Sequence, residues 1–200
     1  MSETHEMLAD GSLSLLAMLV PLAVPGFGRL SAAARAALMM FVLLAGWAPL
    51  WHGKPALFYV RGVVGELSVA SLVLFALQAA RGLGVRTSYT ARMSRDVAAL
   101  LFLLFAILYS CTLGYLHYDL YAWGYEPREL LVLAAIMLAY LWVRHPGAAL
   151  AWLLALFAFA CGLQASPNLW DALGDPILWL GTAWHAFAPA PAQGRMLAAA

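Results

Sequence analysis

The sequence predicts an all-α, polytopic membrane protein, a bundle of about seven transmembrane helices with its N-terminus outside and its C-terminus inside. Three observations lead there. Apolar residues make up 64% of the 200-residue chain, charged residues 10%, and mean hydropathy is +0.83, whereas a soluble domain carries about 25% charged residues. Apolar windows recur between short polar breaks, each near the ~20 residues that a helix needs to cross a ~30 Å hydrocarbon core. Basic residues fall alternately on the two sides of those windows, as cytoplasmic retention of Arg and Lys requires.

The first residues, MSETHEMLAD, are acidic (Glu3, Glu6, Asp10) and lack the basic start of a signal peptide, so residues 1–11 read as a short segment before a retained span. Spans are expected over 12–27, 33–51, 57–80, 97–117, 128–143, 147–164 and 176–190, within a transmembrane domain of residues 12–190. Pro21, Pro25 and Gly26 interrupt the first. The tail, residues 191–200, is Ala- and Pro-rich and is expected to be disordered. With the N-terminus outside, Arg29, Arg35, Arg81, Arg86, Arg92, Arg95, Arg144 and Arg195 lie on the cytoplasmic side, against Lys54, Arg61 and Arg128 opposite. The carboxylates are distributed the other way, with Asp96 alone inside. Four arginines in or beside residues 82–96 read mainly as topology retention, with lipid or partner binding as the alternative.

The third window, LFYVRGVVGELSVASLVLFALQAA, buries Arg61 and Glu66 in apolar sequence. Read as one helix, it projects the two side chains about 140° apart, so each is expected to find a partner on another helix. Intramembrane charges are costly and commonly mark an ion, proton or headgroup site, although a buried pair can also fix helix register. Gly62, Gly65, Ser68 and Ser71 would let neighbouring helices approach closely.

Two outer segments carry the other polar groups. In YLHYDLYAWGYEPRE (residues 115–129), Tyr118, Tyr121, Trp123 and Tyr125 surround Asp119. With Trp170 they read as an interfacial aromatic belt, which leaves Asp119 and Gly124 unexplained. Glu126–Pro127 reads as a helix start with proline at the first helical position. In SPNLWDALGDP (residues 166–176), Asn168 reads as an N-cap with Asp171 in the first turn, and Asp175 as the cap of the last span. Either Asp171 or Asp175 could reach Arg61. The expected cluster is therefore an outward-facing pocket of Arg61, Glu66, Asp119 and Asp171, with Asp175 nearby.

Several chemistries find no footing. A net charge of +1 leaves no basic domain for nucleic acid. HExxH, GxSxG and P-loop patterns are absent. His52, His117, His145 and His185 do not pair at matched depth as haem ligands would. Cys111 and Cys161 read as small packing residues, and no metal or cofactor is expected. Arginine in preference to lysine, with abundant Ala and Gly, fits a GC-rich bacterial genome, and the expected location is the bacterial inner membrane. The expected role is an accessory or assembly subunit whose partners are the lipid bilayer and another membrane protein or further copies of itself. A proton-coupled carrier using Glu66 and Arg61 is the alternative, and an intramembrane enzyme acting on a lipid-linked substrate the second.

Overall fold

Caps and glycines, more than hydropathy, decide where the helices of this mostly helical protein stop. The computed structural model describes residues 3–24, 26–85 and 93–188, with backbone alone at 3–9, 12 and 23. The expectations for Arg86, Arg92, Arg195 and the tail lie outside the described residues. Helix α1 (Glu3–Leu19) starts earlier than expected and runs into 3-10 turns at Val20–Ala23 and Phe27–Arg29, since Pro21 cannot continue an α-helical ladder. Helix α2 (Ala32–Trp47) follows, capped by the Ser31 hydroxyl on the Ala34 amide. A short antiparallel pair, β1 (Pro49–Trp51) and β2 (Lys54–Pro55), then reverses the chain.

The largest departure comes next. The window 57–80 is two helices, α3 (Ala56–Val64) and α4 (Val69–Gly82), separated at Gly65–Ser68. Gly65 adopts φ 79° and ψ −158°, a conformation essentially restricted to glycine, and Ser68 caps α4 through the Ser71 amide. The chain continues through α5 (Arg95–Thr112), a 3-10 turn at Ala122–Gly124, α6 (Arg128–Arg144), α7 (Pro146–Ala160), α8 (Leu169–Leu173) and α9 (Pro176–Phe187). Pro127 stands at the cap of α6, one place earlier than expected, and α7 is capped by His145, whose Nδ1 accepts from the Ala148 amide at 3.0 Å.

Among the described residues only α5 is both long and apolar enough to cross a membrane, with a mean hydropathy of 1.7 over 18 residues. Helices α2, α4 and α7 are apolar but shorter, so the described residues do not bear out seven full-length spans as continuous helices. Twelve-residue α9 rises only about 18 Å.

Small residues set the packing. Helix α7 turns Ala148, Ala151, Ala155 and Ala158 inward and packs against α4 and α6, close approach being what small interface residues permit. The Trp152 indole donates to the Ala134 carbonyl of α6 at 3.1 Å. Helix α5 packs on α9 around stacked Phe102 and Trp179, ring centroids 5.8 Å apart, and buries Val97, Leu101 and Phe105. A second cluster of Phe27, Met39 and Ala79 joins the α1–α2 region to α4. Cys111 is buried, but Cys161, expected inside, is exposed at the end of α7.

Outer helix faces are apolar too. Val143 is 80% exposed and Trp184 72%, alongside exposed Phe41, Ile136 and Phe157. Charge is sorted between the bundle's ends. Asp10, Arg61, Glu66, Asp171 and Asp175 gather near the start of α4, whereas Arg95 reaches the Ala188 carbonyl after α9 and Arg144 pairs with Asp96 at the other end.

Candidate functional site

The break between α3 and α4 builds the first part of the site. Arg61 lies in the last turn of α3, where a cation suits the helix C-terminus, and the Gly65 amide closes that turn on the Arg61 carbonyl at 2.9 Å. Gly65 then turns the chain, and Glu66 folds back onto Arg61 with Nη2 donating to Oε1 at 2.7 Å. The expected 140° separation fails because Glu66 is not helical. Arg61 also reaches Asp10 of α1 at 3.5 Å, a partner the sequence reading did not single out. Neither Asp171 nor Asp175 pairs with it. Side-chain exposures of 27% for Arg61 and 41% for Glu66 put the pair at the rim of the fold, so its net contribution is about 0–1 kcal/mol.

Asp175 does something different. The residue is 4% exposed, and its carboxylate bridges two helix starts. Oδ1 accepts from the Leu178 amide at 2.9 Å, capping α9, and Oδ2 accepts from both the amide and the hydroxyl of Ser68 at 2.8 Å, at the start of α4. Two helix N-termini thus face one carboxylate, each favouring negative charge. The sequence identified the cap on α9 but not the bond to Ser68.

Asp171, in the first turn of α8, accepts from the Tyr121 hydroxyl at 2.9 Å and from the Ser166 hydroxyl. Asn168 caps α8 through the Trp170 amide and donates its side-chain amide to the Tyr121 carbonyl at 3.0 Å. Trp170 departs from the expected belt. It is buried, and its indole donates to the Leu120 carbonyl at 2.8 Å. Tyr118, Trp123 and Tyr125 are exposed, and Tyr125 meets Tyr121 edge-on at 5.8 Å. Asp119 accepts from the Ala122 amide at 3.0 Å, at the start of the turn of residues 122–124. It also borders a cavity of about 480 Å³ that includes His117 and Tyr118.

The structure therefore brings Arg61 to Glu66 and Tyr121 to Asp171. Among the described residues, no hydrogen bond or ion pair joins the Arg61–Glu66 pair to Asp119, Asp171 or Asp175. The Arg61–Glu66 pair, Asp119, Asp171 and Asp175 each have their own hydrogen-bond partners among the described residues. Among the described residues, no three His, Cys, Asp or Glu side chains are arranged to hold a metal.

Burial, reinforced by the Asp171 carboxylate, pushes the Tyr121 phenol well above its ordinary value of 10.0. The protonated phenol is the form that donates to Asp171. A raised acid stabilises the fold below the unfolded-state pKa and loses that contribution as pH climbs beyond it. Melting curves between pH 7 and 11 should show wild type losing stability above about pH 10. Tyr121→Phe should start about 1–3 kcal/mol less stable at pH 7 and decline less steeply. Parallel curves would reject this coupling.

No family model, curated protein or solved structure matches this chain.

Proposed function

We propose that this chain is a small multi-pass protein of the bacterial inner membrane that serves an envelope system as an accessory or assembly subunit. It crosses about seven times, N-out and C-in, through α1 with its 3-10 extension, α2, the broken pair α3–α4, α5, α6, α7 and α9. Exposed apolar faces on α2, α6, α7 and α9 support immersion in lipid or contact with another membrane protein. The sorting of Arg95 and Arg144 away from Asp10, Asp171 and Asp175 supports the orientation.

The observation that carries the role is the use made of the outer carboxylates. Asp119, Asp171 and Asp175 each accept hydrogen bonds from the chain's own backbone or hydroxyls. Groups committed to holding helices together suit a protein that acts through its surfaces. A carrier remains the second reading on one specific feature: Glu66 lies where the third span is interrupted, and discontinuous helices commonly build transport sites.

Glu66→Gln in the native host separates the two. The accessory reading expects unchanged membrane abundance and co-purifying partner, because the rim pair contributes at most about 1 kcal/mol, together with a wild-type phenotype. A carrier expects the same abundance and partner with the phenotype of a deletion. Alkaline carbonate extraction tests the shared premise: recovery of the chain in the soluble fraction would reject both.

A further inference from the structure

We infer that the basic end of the bundle holds a binding site for a phosphate-bearing anion. Between the 3-10 turns after α1, the start of α2 and the ends of α4 and α9 lies a cavity of about 500 Å³. Arg35, Gln78, Arg81 and His185 form its polar lining, Leu22 and Phe27 part of its apolar wall, and among the described residues no Asp or Glu lines it. Arg35 is wedged across the gap from α2, its Nη2 so close to Gly84 that a Cβ there would lie 3.2 Å away. Its Nε is buried without a hydrogen-bond partner. A guanidinium N–H left unpaired is costly; this Nε is itself closed to water, so an anion in the cavity would be met by the terminal nitrogens of Arg35.

The neighbouring charges leave this demand open. Among the described residues the ion pairs are Arg61 with Asp10 and with Glu66, and Arg144 with Asp96. Neither Arg35 nor Arg81 is in any of them. Asp96, the carboxylate at this end of the bundle, is engaged by Arg144. Two guanidinium forks and a side-chain amide facing one cavity match the several acceptor oxygens of a phosphate group better than a single carboxylate. Basic pockets between transmembrane helices at the cytoplasmic face take phospholipid headgroups by the same chemistry. The phosphate can come from a lipid headgroup or from solution. Only the lipid source rests on the membrane reading above.

The test uses the full chain and reads melting temperature. Inorganic phosphate is titrated in neutral detergent at constant ionic strength, and nanodiscs of phosphatidylcholine alone are compared with nanodiscs containing phosphatidylglycerol. At ten times its Kd, a bound probe should raise the wild-type melting temperature by about 3–6 °C. Arg35→Gln/Arg81→Gln should lose that rise, and Arg144→Gln should keep it. A rise with phosphatidylglycerol alone assigns the site to a headgroup, and a rise with phosphate assigns it to a free anion. Should the double variant fail to fold, Arg81→Gln alone should weaken affinity for the active probe several-fold, because Arg81 is exposed. Equal rises in wild type and variant, unchanged affinity in Arg81→Gln, or no rise with either probe would overturn the site. Failure of carbonate extraction to retain the chain leaves the phosphate arm intact.

Discussion

Replacing Asp175 by Ala should cost about 3–5 kcal/mol, from the lost cap of α9 at ~1 kcal/mol and the buried Ser68 amide and hydroxyl left without their acceptor. That is a large share of the ~5–15 kcal/mol by which folded proteins are stable. In detergent, the melting temperature should fall by about 10 °C or more, and abundance in the native host should fall several-fold. Asp175→Asn is expected to be intermediate. Its remaining carbonyl oxygen can still cap one helix, but its NH₂ group then meets the N–H of Ser68, donor against donor. Ser68→Ala removes the hydroxyl that bonds Asp175 and the Ser71 amide and leaves the Ser68 amide in place, so it should cost less than Asp175→Ala. If Asp175→Ala melts within a degree or two of wild type, or Ser68→Ala is the worse variant, the bridging carboxylate is not what joins α4 to α9.

What could be read from the sequence was local. Asn168 and Asp175–Pro176 announced helix starts because a cap and its recipient amide lie two or three residues apart. The separation of Arg95 and Arg144 from Asp171 and Asp175 could be anticipated from the order of charges along the chain. The third span misled because a hydropathy window runs through VVGELSVAS without dropping, although glycine as a stop and serine as a start stand three residues apart at Gly65 and Ser68. Read as a stop and a start, they would have placed Glu66 outside a helix and within reach of Arg61. Other partners are distant in the chain. Asp10 lies 51 residues from Arg61, Ser68 107 residues from Asp175 and Tyr121 50 residues from Asp171. No spacing rule encodes such pairs. Trp170 resembled a belt residue by type and by its place near a span end, but its indole is taken by the Leu120 carbonyl.

Gly124→Ala should be the second severe substitution, and it explains the glycine that an aromatic belt left unaccounted for. A Cβ at position 124 would fall 1.7 Å from Asn168 Oδ1 and 2.5 Å from its Cγ. Asn168 cannot move aside cheaply, since it is fully buried and bonded through Oδ1 to the Trp170 amide and through Nδ2 to the Tyr121 carbonyl. Either the loop shifts or the cap breaks, at about 2–3 kcal/mol for an overpacked site. Asn168→Ser shortens the side chain while keeping an oxygen at the N-cap, so it should relieve much of the clash. A double-mutant cycle in detergent melts therefore predicts that Gly124→Ala costs at least about 1 kcal/mol less in the Asn168→Ser background than in wild type, a coupling of the size expected for residues in contact. Fluorescence gives an independent reading. Rearrangement around Asn168 should loosen the Trp170 indole from the Leu120 carbonyl and red-shift tryptophan emission in Gly124→Ala, with recovery in the double variant. Additive costs and unchanged emission would mean that the loop of residues 115–127 rests on α8 through contacts other than this one, and that Gly124 is replaceable.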